Sequence, residues 1–260
     1  MTRRGRPVLT ERYGADRAQV GDLWLPAGAG PHPVVVVLHG GFWRAAYDRG
    51  LGAPLARDLA RHGFAAWNLE YRRVGGGGGW PTTLADVGAG IDQLAALAAS
   101  QPLDLGQVSA VGHSAGGQLA VWSAARHTLG AGLPGARPRV RLVGAVAQAG
   151  VLDLEDAAWD RLGAGAVEDL LGGPPDVVPD RYACASPIRR LPIGVPVLCV
   201  HGRADDTVPV GQSERYAHAA ALAGDSCDLR LVGGGHFSLL EPDSSGWAAV
   251  LTQLEAWAHR

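Results

Sequence analysis

Three glycine-bounded segments carry a serine, a pair of aspartates and a histidine whose combined chemistry is acyl transfer. Gly112-His113-Ser114-Ala115-Gly116-Gly117 sets a hydroxyl with a glycine two residues to either side. His201-Gly202-Arg203-Ala204-Asp205-Asp206-Thr207-Val208-Pro209 offers two carboxylates, and Gly233-Gly234-Gly235-His236-Phe237 offers an imidazole. A serine hydroxyl is a weak nucleophile until a base takes its proton, and an imidazole does that best when a carboxylate orients it. A fourth segment, His39-Gly40-Gly41-Phe42-Trp43, has the backbone freedom to turn N–H groups toward a developing negative charge.

Each group has a local context that favours its role. Residues 108–111 read as a strand and 118–125 as a helix, so Ser114 falls on the turn between them, at a helix N-terminus that favours negative charge. His236 follows a strand-like run on a glycine-rich loop that can swing its ring over the strand ends, and an ordinary imidazole accepts a proton near neutral pH. The acid is Asp205 or Asp206; spacing from the strand end and from Val208-Pro209 favours Asp205. His32, His62, His127, His218 and His259 carry no motif, whereas His39, His113 and His201 each end or abut a strand, where local hydrogen bonding is expected. Trp43 and Trp80 are candidates for the walls of a substrate pocket, with core packing as the alternative for each. Neither an HExxH pair nor a His/Cys cluster occurs, so no metal site is expected.

The elements that would hold these groups are short apolar runs alternating with longer amphipathic stretches. Residues 33–38, 64–69, 108–112, 142–148, 195–201 and 228–232 predict six buried strands, the first of them too short and too rich in β-branched residues for a helix. Residues 51–62, 82–99, 115–126, 212–223 and 245–258 predict helices, the second opening just behind Pro81. Strands apolar on both faces, alternating with helices, predict a mostly parallel, doubly wound α/β sheet in one domain spanning residues 1–260. The first thirty residues predict an antiparallel edge. Residues 151–194 are long for a crossover and poor in apolar mass, and are expected to form a small cap over the strand ends. The run 75–79 is all glycine and predicts a flexible loop.

HGGFW at 39–43, EYRR at 70–73, GHSAGG at 112–117, HGRADDTVP at 201–209 and GGGHF at 233–237 together resemble the serine-dependent α/β-hydrolases, in which nucleophile, acid and base follow the order Ser, Asp, His. The likeness runs from Pro33 to Phe237. It implies an α/β-hydrolase fold with catalytic Ser114, Asp205 and His236, and an oxyanion hole from the amides of Gly41, Phe42 and Ala115, Gly40 giving the turn its room. HGGFW is similar to the HGGxW box of kynurenine formamidases and of small carboxylesterases, including feruloyl and acetyl esterases, and the stretches 149–154 and 185–187 resemble those of the formamidases. HGxxDxxVP is similar to the catalytic domain of prolyl-oligopeptidase-type peptidases. Phe42-Trp43 departs from the HGGG of hormone-sensitive-lipase-like esterases. The resemblance implies a hydrolase of small acyl or aryl esters, with an arylformamidase, a prolyl-oligopeptidase-like aminopeptidase and a non-catalytic ligand-binding protein as alternatives.

Composition narrows the rest. The chain has 260 residues, a formal net charge of −2, and 23 basic side chains, all of them arginine and scattered, which gives no footprint for nucleic acid or an anionic membrane. Residues 1–20 hold Arg3, Arg4, Arg6, Arg12 and Arg17 but no apolar run for a secretory signal, and three widely spaced cysteines suggest no disulfide framework. The expectation is a cytoplasmic enzyme that needs no cofactor and takes a small-molecule ester or amide as its partner; the sequence is compatible with a homodimer.

Overall fold

The computed structural model describes residues 9–258; Arg3, Arg4, Arg6 and His259 lie outside the described residues. Eight strands form one sheet: β1 (Leu9–Arg12), β2 (Val20–Trp24), β3 (His32–Leu38), β4 (Ala65–Leu69), β5 (Leu103–His113), β6 (Gly144–Gln148), β7 (Val197–Gly202) and β8 (Cys227–Val232), in the spatial order β1-β2-β4-β3-β5-β6-β7-β8. From β4 to β8 all neighbours are parallel; β2 joins β4 antiparallel and β1 joins β2 antiparallel, forming the predicted edge.

Side-chain alternation explains why the sheet is covered on both faces. Along β3, Val34, Val36 and Leu38 enter one apolar cluster while Val35 and Val37 enter the other. The first face is covered by α2 (Thr82–Asp92), α3 (Leu94–Leu97), α4 (Ala115–Ala124) and α8 (Gly211–Ala223), the second by α1 (Ala53–Arg61) and α9 (Ser245–Ala258). Between β6 and β7 run α5 (Leu154–Trp159), α6 (Leu162–Leu171) and α7 (Pro179–Ala185). This segment, expected to cap the strand ends, contributes Leu152, Leu154, Leu170, Leu171 and Tyr182 to the same cluster that covers the first face.

Several boundaries differ from the sequence pattern. β5 begins five residues earlier than its apolar run, at Leu103, where it pairs with His32 before a register shift at Pro33/Val34. The helix expected over 82–99 is interrupted at Gln93. Leu51 and Gly52, expected to open α1, belong to a 3-10 turn, Arg49–Gly52, capped by the Asp48 carboxylate on the Gly50 amide. The glycine run 75–79 is tied back by Gly76 and Gly78 N–H donating to Arg73 O at 2.8 and 2.9 Å. Among the described residues no helix is long and apolar enough to cross a membrane.

Candidate active site

Parallel strands aim their carboxyl ends at one edge, and the four motifs leave the sheet there, from β3, β5, β7 and β8. Ser114 stands between β5 and α4 at φ 58°, ψ −121°, a backbone state costing roughly 1–3 kcal/mol for a non-glycine residue. The glycines around it are required by close approach. A Cβ on Gly112 would lie 1.9 Å from Gly116 O, and one on Gly116 would lie 2.0 Å from Leu38 O. Hydrogen bonds clamp the turn: Ser114 N donates to Gln148 O at 2.8 Å, and Ser114 O accepts from Gly117 N at 2.9 Å.

His236 opens a 3-10 turn, His236–Leu240, held at both ends. His113 Nε2 donates to His236 O at 2.9 Å, and Gln148 Nε2 donates to Leu239 O at 2.7 Å. The His236 ring donates Nδ1–H to Asp205 Oδ2 at 2.7 Å, which leaves Nε2 to meet the cleft. Asp205 Oδ1 accepts from Thr207 N at 2.9 Å and Val208 N at 2.8 Å, and His201 Nε2 approaches Oδ2 at 3.3 Å. Burial alone would raise the Asp205 pKa, but the hydrogen bonds from His201, His236, Val208 and Thr207 outweigh it and hold the carboxyl well below the usual carboxylate range. His201 is itself fixed by Ser213 Oγ at 2.8 Å and Val208 O at 3.0 Å. Burial, then the neighbouring His236, push the His113 imidazole down to about 3, so it stays a neutral donor.

The structure thus brings Asp205 to His236; Asp206 is exposed and accepts from Thr207 Oγ1 at 3.1 Å. Ser114 and His236 line one cleft with Gly41, Phe42, Tyr47, Leu51, His113, Thr207 and Phe237. Gly41 and Phe42 have positive φ, 105° and 51°, and among the described residues no acceptor meets their amides. Ala115, at the first position of α4, has an amide with no earlier turn to bond. Gly40 lets the loop close on Ser114: a Cβ there would sit 2.7 Å from His113 O and 3.0 Å from Ser114 Cβ.

Neither tryptophan forms the pocket wall. Trp43 is fully buried, its indole N–H donating to Gln118 Oε1 at 3.0 Å, because φ 55° turns it away from the cleft and into the core. Trp80 packs against the core cluster on the first face and does not line the cleft. Phe42, Tyr47, Leu51 and Phe237 supply the apolar wall instead. No residue of 151–194 lines it; that segment meets the cleft wall from behind at Gly163, where an added Cβ would touch the Phe42 ring at 2.5 Å.

Beneath the 39–43 loop lies a second histidine–carboxylate pair. His39 Nε2 meets Glu70 Oε1 at 2.9 Å, and its Nδ1 meets Gly40 O at 2.8 Å. Glu70 also accepts from Tyr71 N and Arg49 N, each at 3.0 Å, and pairs with Arg73 at 3.0 Å. Burial would raise the Glu70 pKa, yet the His39 contact, Arg49 N and Arg73 together leave it lowered. Tyr71 stacks on His39 with centroids 4.5 Å apart and donates its hydroxyl to His39 O at 2.7 Å.

The chain matches the family model described as BD-FAE over residues 22–222. No curated protein matches it. Among solved structures it is similar to a truncated carbohydrate esterase from gut microbiota, at 20% identity and TM-score 0.84, covering 98% of each chain. It is similar to the bifunctional GH43-CE of Bacteroides eggerthii, at 25% identity and TM-score 0.79, over 95% of this chain and 37% of that one. A third likeness is to the butyrate-bound esterase Est2 of Thermogutta terrifontis, at 22% identity and TM-score 0.77, over 96% and 92%.

Proposed function

The chain belongs to the BD-FAE family, an esterase family of the serine α/β-hydrolases, and from that premise we propose that it hydrolyses small acyl or aryl esters with Ser114 as nucleophile, His236 as base and Asp205 as acid. His236 Nε2 takes the Ser114 proton as Oγ attacks the ester carbonyl. The oxyanion that forms is received by the amides of Gly41, Phe42 and Ala115. His236 then gives its proton to the departing alcohol oxygen, leaving an acyl group on Ser114. Water, deprotonated by the same imidazole, attacks the acyl carbon; the carbon–Oγ bond breaks, the acid leaves, and the proton returns to Ser114. Asp205 remains ionised throughout and keeps Nδ1 of His236 protonated, as its depressed pKa favours.

The observation that supports this most is the 2.7 Å bond between His236 and buried Asp205 at the rim of a cleft that Ser114 also lines. A fluorophosphonate probe should label the protein at Ser114, and Ser114→Ala should reduce p-nitrophenyl acetate turnover to background with the circular dichroism spectrum unchanged. Absence of labelling in a folded protein would favour a ligand-binding role without catalysis.

Arylformamide hydrolysis is the second assignment, since Phe42, Tyr47 and Phe237 offer aromatic surface beside the nucleophile. Comparing kcat/KM on N-formylkynurenine and on phenyl acetate separates the two. An aminopeptidase finds no support: among the described residues, no carboxylate lines the cleft to receive an α-amino group.

A further inference from the structure

The sheet ends on an open edge. β8 is its last strand and is bonded to β7 alone. Val197 N donates to Ser226 O at 3.0 Å and Arg203 N to Val232 O at 2.9 Å. In a parallel ladder alternate residues face the same neighbour, so Asp228 and Arg230 also turn their backbone groups toward β7. The N–H and C=O groups of Cys227, Leu229 and Leu231 therefore point outward, and among the described residues no backbone group meets them. Such a row is a template for a further strand. The side chains alternate as well: Cys227 and Leu229 pack on the first-face cluster and Val232 on the second. Asp228 and Arg230 stand exposed on that second face, and among the described residues neither has an ion-pair partner.

The order of these residues makes the edge complementary to itself. Take a second copy of β8 antiparallel to the first, with the two-fold axis at Leu229. Leu229 then exchanges both backbone bonds with its own counterpart, and Cys227 does so with Leu231 of the other copy, so every outward group is used. Asp228 falls opposite Arg230 of the other copy, twice by symmetry, in the non-hydrogen-bonded positions where side chains stand closest. Moving the axis to Cys227 or Leu231 keeps outward groups facing each other but separates the charges. Placing it at Asp228 or Arg230 sets a charge against itself. We propose that the β8 edge is a homodimer interface, two copies pairing antiparallel about Leu229 with reciprocal Asp228–Arg230 ion pairs. The pairing gives the strand that leads to His236 a second neighbour.

Sedimentation equilibrium of the full chain and its charge variants tests this, with circular dichroism to check folding. The parent should show a concentration-dependent dimer. Asp228→Arg and Arg230→Asp each set like charges opposite one another at both pairs and should raise the dimer dissociation constant at least ~10-fold. The double swap Asp228→Arg/Arg230→Asp restores opposite signs and should recover the parent's affinity. An equimolar mixture of the two single variants should form heterodimers for the same reason. In the parent, amide exchange over residues 227–232 should slow as protein concentration rises. A parent that stays monomeric up to about 0.1 mM, with exchange independent of concentration, overturns the interface and leaves the edge to a different chain. A dimer whose dissociation constant moves less than about twofold in both single variants overturns it too, since the contact then lies elsewhere. Weakening by both single variants with no recovery in the double swap or the mixture overturns the Leu229-centred register.

Discussion

The molecule sets His236 with Asp205 and His39 with Glu70 past the carboxyl ends of its parallel strands and wires the two pairs differently. His236 spends one ring nitrogen on Asp205 and keeps the other for the cleft; His39 spends both, one on Glu70 and one on Gly40 O. Both carboxylates are buried and both are held below the usual carboxylate range by hydrogen bonds that overcome the cost of burial. Residue type is therefore no guide to role. In the proposed reaction, the one free nitrogen of His236 would carry the proton, whereas the two occupied nitrogens of His39 make it a brace.

That contrast can be broken by substitution at either pair. Asp205→Asn keeps the shape but accepts no charge-assisted bond from Nδ1–H, so the imidazole loses its orientation and tautomer. It should cost about 10⁴ in kcat with the fold retained, as steady-state kinetics on p-nitrophenyl acetate would read. A loss under tenfold would transfer the acid role to Asp206. Glu70→Gln should cost less, up to about 10²-fold in kcat with KM little changed, because the brace only positions the Gly41 and Phe42 amides. If Glu70→Gln lowered the melting temperature but left kcat intact, the pair would be support for the fold and nothing more.

A third, smaller effect sharpens the comparison by pH. His113 is kept neutral in the fold, with a pKa of about 3 against an ordinary 6.5, while the unfolded chain protonates it below about 6.5. Its share of stability is complete above that pH and declines as pH falls toward 3. The Asp205 share, from a pKa lowered in the fold, is complete above about pH 4 and is lost only in stronger acid. Urea midpoints of His113→Asn should therefore fall less steeply than those of the parent between pH 6.5 and 4. Parallel slopes would mean that His113 is not held neutral.

Much of this was legible in the amino acids. The β-branched runs gave away β3 and β7, and Gly112 and Gly116 marked the turn at Ser114 because no other residue fits against Gly116 O and Leu38 O. What escaped depends on direction or on distance along the chain. Phe42 and Trp43 are neighbours of similar character, yet one lines the cleft and the other is buried; two successive positive φ angles decide that, and no periodicity encodes them. Glu70 reaches His39 only because β4 lies beside β3, 31 positions away in the chain. Leu51 was visible as a helix residue, but the 3-10 turn that makes it a wall depends on Asp48, Asn68 and Glu70 gripping its backbone.

β8 has one neighbour, β7, and alternates half-covered with exposed positions along its length. The imidazole is hung from this outermost plank, four residues past its end, while the hydroxyl sits in the middle of the floor, one residue past the end of β5. Sheet margins fray before interiors do. Warming would then disarm the protein while most of its architecture still stands, and the rim, rather than the core, governs how long it keeps working.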